Sequence, residues 1–277
     1  MKQVNIRSAK NLVMTFLMFS ATVAVLIPLA IIFIHIAKMG FSSISLDFFT
    51  SIPKPTGETG GGMANGIVGS GVLIAMASAI GLPIGIFGAI YLVEYGGGKL
   101  SSIIRFAADV LNGIPSIITG MVAYTLIVVP MKGFSALAGA VALALIMIPI
   151  VLRTAEEQLK MVPNSLREAS LALGVPLWRT TFRVTLRSAL KGVATGVLLA
   201  IARIAGETAP LLFTALGNMF WSKKLTEPIA AMPLQIFNFA ISPYEDWHRL
   251  AWAGALVLVM FMFTISLATR YFSRQRN

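Results

Sequence analysis

The sequence has no cysteine, and only 11 acidic residues stand against 22 lysines and arginines. Without cysteine there is no disulfide staple, no thiolate metal site and no thiol nucleophile. Charged residues make up 12% of the 277 positions, where a soluble domain carries about 25%. That is too little charge to coat a water-facing surface, so a soluble enzyme is excluded. A hydrophobic content of 57% excludes a disordered chain. A phosphate-binding loop of the form G-x-x-x-x-G-K-S/T is also missing. Gly96-Gly97-Gly98-Lys99 comes nearest, but Val93 stands where the first glycine is needed and Leu100 follows the lysine. That stretch reads as a short turn, and ATP hydrolysis by this chain is not expected. Two histidines, His35 and His248, are too few for a histidine-rich metal centre.

Long uncharged runs are what the chain has in abundance. A bilayer core of about 30 Å needs about 20 apolar residues as helix. Six runs qualify: residues 11–37, 67–93, 110–131, 133–152, 192–222 and 250–269. Within them only Arg203 and Glu207 are charged. The first run follows Lys2, Arg7 and Lys10 but is about twice the length of a cleavable signal core, so it is read as a retained span. The expected fold is an all-α membrane protein with six transmembrane helices in a single domain, residues 1–277. Lysine and arginine counts set the orientation. If there are six spans, the termini and the even-numbered loops carry fifteen, seven of them between residues 153 and 191, and the opposite side carries six. Both termini are therefore expected in the cytoplasm, which also accounts for the net charge of +11 without nucleic acid.

Of the two long outer loops, residues 38–66 carry Pro53-Lys54-Pro55 and Gly60-Gly61-Gly62, the composition of an irregular loop. Residues 229–241 are apolar but too short to span, and predict a short helix lying at or dipping into the outer interface. Gly81-x-x-x-Gly85 and Gly192-x-x-x-Gly196 predict close helix crossings. Asp109 is expected to pair with Arg105, one turn back. Asn112 and Ser116, at i and i+4, either turn polar atoms toward a pathway or bond between helices.

The loop at 153–191 predicts two helices. Ser165 and Glu168 have capping-box spacing, and Leu166, Ala169, Ser170 and Leu173 then share a face. Gly174 suits a left-handed stop and Pro176 can open the next helix. That helix carries Trp178, Phe182 and Leu186 on one stripe and Arg179, Arg183 and Arg187 on another. It suits an anionic lipid surface or a groove on a cytoplasmic partner.

Arg203 and Glu207, four apart, are predicted on one helix face near the bilayer middle. An arginine there costs at least about 2.5–3.5 kcal/mol. Two readings remain open: an ion pair that locks helices, or a polar site on a water-filled pathway. Gly206 would allow another backbone close, and Pro210 would kink the helix just beyond.

Several of these residues carry a resemblance. Glu168-Ala169-Ser170-x-x-x-Gly174, with Val184-x-Leu186, resembles the EAA loop of ABC importer permeases, with Ser170, Val184 and Arg187 as departures. Arg203 to Leu211 is similar to the signature of the phosphate-uptake permeases of the PstA type. Gly60–Gly71, Tyr91–Tyr95, Asn112–Ser116 and Phe213–Leu216 are similar as well. The resemblance implies a type I importer bundle in the bacterial inner membrane. It implies a homologous PstC-type permease, two PstB-type ATPases and a periplasmic phosphate-binding protein. ATP and magnesium would sit on the ATPases, with no cofactor on this chain. It carries the ATPase-coupling role onto Ser165, Glu168, Ala169, Leu173 and Gly174. Arg203, Glu207, Thr208, Asn112 and Ser116 become the expected substrate pathway. An arginine fork matches two phosphate oxygens, and Glu207 could accept a P–OH donor, which phosphate has and sulfate lacks. A permease for another solute and an ion-coupled carrier are the alternatives, although a carrier would need no docking helix.

Overall fold

A computed structural model describes residues 2–58 and 60–273. Arg274 and Arg276, counted above with the cytoplasmic charge, lie outside the described residues. In chain order the helices are α1 (Lys2–Phe41), α2 (Leu46–Thr50), α3 (Ala64–Tyr95), α4 (Gly98–Gly113), α5 (Ser116–Met131) and α6 (Ala136–Lys160). They continue with α7 (Asn164–Ala172), α8 (Leu177–Ala205), α9 (Ala209–Leu212), α10 (Met232–Ala240) and α11 (Glu245–Ser273). Strands are absent among the described residues; one isolated bridge joins Leu216 and Ile229.

Five of these helices are long and apolar enough to cross a membrane, and six crossings result if α4 and α5 count as one. The third run is thus not the straight span predicted over 110–131. α4 and α5 meet at 108°, because Pro115 disfavours helical geometry at the residue before it. Ile114 accordingly sits at φ −76°, ψ 132°. The fifth run departs further. α8 starts at Leu177 and stops at Ala205, well short of Ser222.

α3 and α6 form the centre of the bundle and run in parallel. Gly81 faces Met147 and Gly85 faces Val151; a Cβ on Gly85 would lie 2.8 Å from the Val151 Cβ. Antiparallel to α6, α8 crosses it with Gly192 against Gln158 and Gly196 against Thr154. Both small-residue pairs therefore mark backbone approaches, as their spacing predicts. The main core gathers Leu73, Met147, Ile204, Leu211 and Leu234 between these helices. A second cluster, Ala89, Leu159 and Val193, fills the end nearest α7. A third holds Phe48, Met63, Phe239 and Ala253 at the opposite end.

α1 stands apart. None of its most apolar stretch is buried, and it meets α11 late in its length, through His35 on Trp252 and Gly40 on Leu256. The irregular loop before α3 is as expected, with Gly60 and Gly61 at positive φ. It is tucked under α2 by Gly62 N–H donating to Ile52 O at 3.1 Å and Met63 N–H to Phe48 O at 2.9 Å. α10 is the short helix expected over 229–241. Met232, Leu234, Gln235 and Phe239 are buried in the bundle.

Candidate functional site: the broken helix end and the docking helix

α8 ends at a glycine followed by a proline four residues on. Gly206 caps the helix at φ −95°, ψ 0°, and Pro210 falls in the first turn of α9. Arg203 thereby occupies the last turn of α8, where a cation is favoured by the helix carbonyls by about 0.3–1 kcal/mol. Glu207 lies just past the end, and its carboxylate Oε1 is 3.2 Å from Arg203 Nη2. The two residues are paired, but not along one helix face as predicted. The break removes the penalty that an arginine-first order would carry within a helix.

The arginine side chain is 61% exposed and the glutamate 12%. Glu207 is thus seated in the fold, and Arg203 leans outward over it, with no bond from its Nε or Nη1 among the described residues. Thr208 follows, half-buried. Gly206 does not admit a backbone: a Cβ there would meet only the Met262 side chain, 3.6 Å away. The break is braced from α5, where Gly120 rests on Pro210; a Cβ at 120 would come within 2.6 Å of the Pro210 Cα.

Asn112 and Ser116 do not join this site. The 108° bend separates them onto α4 and α5, so the i, i+4 pairing assumed for them does not form. No hydrogen bond or ion pair links either to Arg203 or Glu207 among the described residues. Ser116 contributes its carbonyl, which accepts from the Thr119 hydroxyl at 2.6 Å.

At one end of the bundle, the loop at 153–191 forms α7 and the start of α8. Ser165, Glu168, Ala169, Leu173 and Gly174 are all exposed, as a docking face requires. The predicted capping box is absent: Pro163 is the N-cap, and Ser165 is already inside the helix. The stop is as predicted. Gly174 has φ +77°, with Val175 N–H donating to Ser170 O at 3.2 Å and Gly174 N–H to Leu171 O at 2.9 Å, a Schellman motif. Ser170 turns inward, its hydroxyl 2.9 Å from that of Thr180. In α8 a π-turn over Thr181–Thr185 buries Thr181 and Thr185, next to the buried Thr180. Trp178 and Phe182 remain exposed, and the Arg179 guanidinium lies 5.1 Å from the Trp178 ring centre.

Sequence reasoning missed the charged groups that hold this end together. Asp109 does not pair with Arg105. It binds Arg153, with Arg153 Nε 3.0 Å from Asp109 Oδ1. Arg105 instead meets Glu156, Nε to Oε1 at 2.7 Å. Glu156, 1% exposed, also takes Arg153 at 3.1 Å and Lys160 at 2.7 Å. The spacing of Arg153, Glu156 and Lys160 on one helix face is the signal that could have found this hub. A further pair joins Glu94 of α3 to Arg167 of α7 at 2.9 Å. At the opposite end, Asn65 donates to Asn218 O at 2.9 Å and accepts from Gln235 Nε2 at 3.2 Å, fastening the segment after α9 to α3. The histidines serve packing: His35 on Trp252, and His248 Nε2 2.6 Å from Ser242 O.

Residues 81–277 match the family model described as binding-protein-dependent transport system inner membrane component. The phosphate transport system permease protein PstA of Yersinia pestis is 50% identical over 241 residues, covering 87% of this chain and 81% of that protein. PstA of Pasteurella multocida is 44% identical over 272 residues, covering 98% of this chain and 97% of that one. The chain belongs to the PstA family of phosphate transport permeases. Solved structures agree at the level of fold. A chain of the inward-facing MetNI methionine ABC transporter superposes with TM-score 0.60 at 20% identity, over 77% of this chain and 98% of that one. A chain of an amino acid ABC transporter gives 0.57 at 17% identity, over 76% and 92%. α1 precedes residue 81, where the family model begins, in keeping with its separation from the bundle of this PstA-family chain.

Proposed function

We propose that this chain is the membrane subunit of an ATP-driven importer of inorganic phosphate in the bacterial inner membrane. It forms the pathway with a homologous permease of the PstC type. Two PstB-type ATPases dock at α7, and a periplasmic phosphate-binding protein delivers substrate to the other face. The chain itself is non-catalytic and carries no cofactor; ATP and magnesium belong to the ATPases.

The single observation that carries the reading is the exposed Arg203 at a broken helix end. An arginine at membrane depth must meet water or protein rather than lipid. Its outward pose over a seated Glu207 leaves a planar donor fork directed away from the chain. That fork suits two oxygens of a phosphate. Glu207 holds the guanidinium between transport events and can accept a proton donor from protonated phosphate, which selects against sulfate. Thr208 lies beside them as a further hydroxyl. Asn112, on α4, and Ser116, at the start of α5, keep their pathway role in this reading without a bond to Arg203 or Glu207.

Replacement tests it. Arg203→Gln is expected to stop phosphate uptake with the complex still assembled, and Arg203→Lys to impair it strongly, since a point charge lacks the fork. The double variant Arg203→Leu/Glu207→Leu removes both charges, which for a purely structural pair is neutral or stabilising. Normal uptake by that double variant, in proteoliposomes holding the whole transporter, would overturn the assignment.

A further inference from the structure

Arg167 is the most heavily engaged side chain on the docking helix, and nothing in its motif position accounts for this. Its Nε donates to Glu94 Oε1 at 2.9 Å. Its Nη1 donates to Val162 O at 2.6 Å and to Asn164 Oδ1 at 3.1 Å, and its Nη2 to Leu159 O at 2.9 Å. One guanidinium therefore ties together the end of α3, the last turn of α6 with the residue beyond it, and α7 itself. The Glu94 side chain is 2% exposed and that of Arg167 15%. Screening by water is weak at such burial, so the pair is stiff and its loss is costly.

Glu94 sits in a π-turn, Tyr91–Tyr95, that ends α3. Such widened turns are uncommon and recur at functional places. Meanwhile the residues flanking Arg167, Ser165 and Glu168, point outward, with Ala169 and Leu173 exposed beyond. One side of α7 is thus free for a partner, and the other is bolted to α3 through one ion pair.

We propose that Arg167 is a positioning residue for transport, and that the Glu94–Arg167 pair passes displacement of α7 to α3. The proposal rests on the reading of α7 as the ATPase docking helix. A push on the exposed face of α7 reaches α3 directly through this charged contact and passes along the Gly81–Gly85 crossing to α6, so that the packed helices take it up as a body. Without the pair α7 keeps its shape, because the Schellman stop and the Ser170–Thr180 bond are independent of Arg167. It still docks, but its movement no longer reaches α3 in full.

The test uses the whole transporter in proteoliposomes with its binding protein, reading phosphate uptake and ATP hydrolysis side by side. Glu94→Gln keeps the shape and removes the charge. Arg167→Lys keeps the charge but cannot reach Glu94 and the carbonyls together. Glu94→Gln is expected to retain bound ATPase and most hydrolysis while phosphate moved per ATP falls at least about tenfold, within the range of energetic coupling between sites. Arg167→Lys is expected to fall between this and the unaltered protein. An unchanged ratio of phosphate to ATP in both variants would overturn the proposal. So would loss of the ATPase from both, because the pair would then be shaping the docking surface instead of transmitting its motion. If Glu94→Gln fails to assemble, Arg167→Lys decides by the same ratio. Failure of the docking reading itself shows separately, as an ATPase that stays bound and coupled when α7 is deformed at Gly174.

Discussion

At the scale of single residues, this chain uses two of its acids, Glu94 and Glu156, as buried anchors. Glu156 is the clearest case, enclosed and facing Arg105, Arg153 and Lys160. Removing one member of such a group leaves the others in mutual repulsion. Glu156→Gln is expected to lower stability by about 1–3 kcal/mol, the range for a lost hydrogen bond to a charged group, seen as a lower thermal midpoint of the detergent-solubilised protein. An unchanged midpoint would mean the cations find solvent as good a partner. This hub also explains a sequence reading that did not survive. Arg105 and Asp109 have ideal i, i+4 spacing, yet each pairs across to α6. Local spacing lists the pairs a helix can form; only tertiary packing decides which acids are buried and so which pairs form. Arg203 and Glu207 were legible for the opposite reason, because two charges in an apolar run have no other partner within reach.

At the scale of elements, existence was legible and continuity was not. Apolar runs located α1, α3, α6, α8 and α11, and glycine spacing placed two of their crossings. Hydropathy is blind to where a run breaks. Pro115 and the Gly206–Pro210 stretch both interrupt apolar sequence without changing its composition, and the structure bends or stops there. The proline and glycine chemistry was present in the sequence, but apolar length outweighed it. α7 was read well at its end and poorly at its start, since Gly174 can be replaced by little else at φ +77°, whereas serine fits both outside and inside a helix start. A side chain at 174 meets no atom within 4 Å and strains only the backbone. Gly174→Asp is therefore expected to distort the turn without unfolding the bundle. Uptake should be lost and bound ATPase reduced on co-purification, with normal membrane insertion. Full uptake by this variant would remove α7 from the coupling route.

For the whole molecule, if the chain crosses six times with both termini in the cytoplasm, Lys54 and Lys223 lie outside and Lys99 and Arg179 inside. The absence of cysteine allows single cysteines to be introduced at these positions and labelled by an impermeant thiol reagent in intact cells. Labelling at 54 and 223 alone is the expected pattern; labelling at 179 would invert the orientation. α1 carries a different expectation from the bundle. Its exposed length is in keeping with burial by lipid or by a neighbouring subunit, and nothing in its sequence distinguished it from the packed helices, because lipid and core select the same residues.

α6 is fixed at both ends. Its first amides, at Ser135, Ala136 and Leu137, donate to Thr214 O, Glu227 O and Leu225 O at 3.0, 3.0 and 3.1 Å. Its other end is held by the Glu156 hub and by Arg167 on Leu159 O. A helix clamped at both ends can neither slide nor turn without breaking several bonds at once, so it moves only together with the elements bonded to it. With α3 and α8 seated on it through glycine contacts, the bundle has no internal hinge along this axis. In the proposed transporter, access would alternate by rocking of this body against the homologous permease, with the pathway opening along the seam between the two.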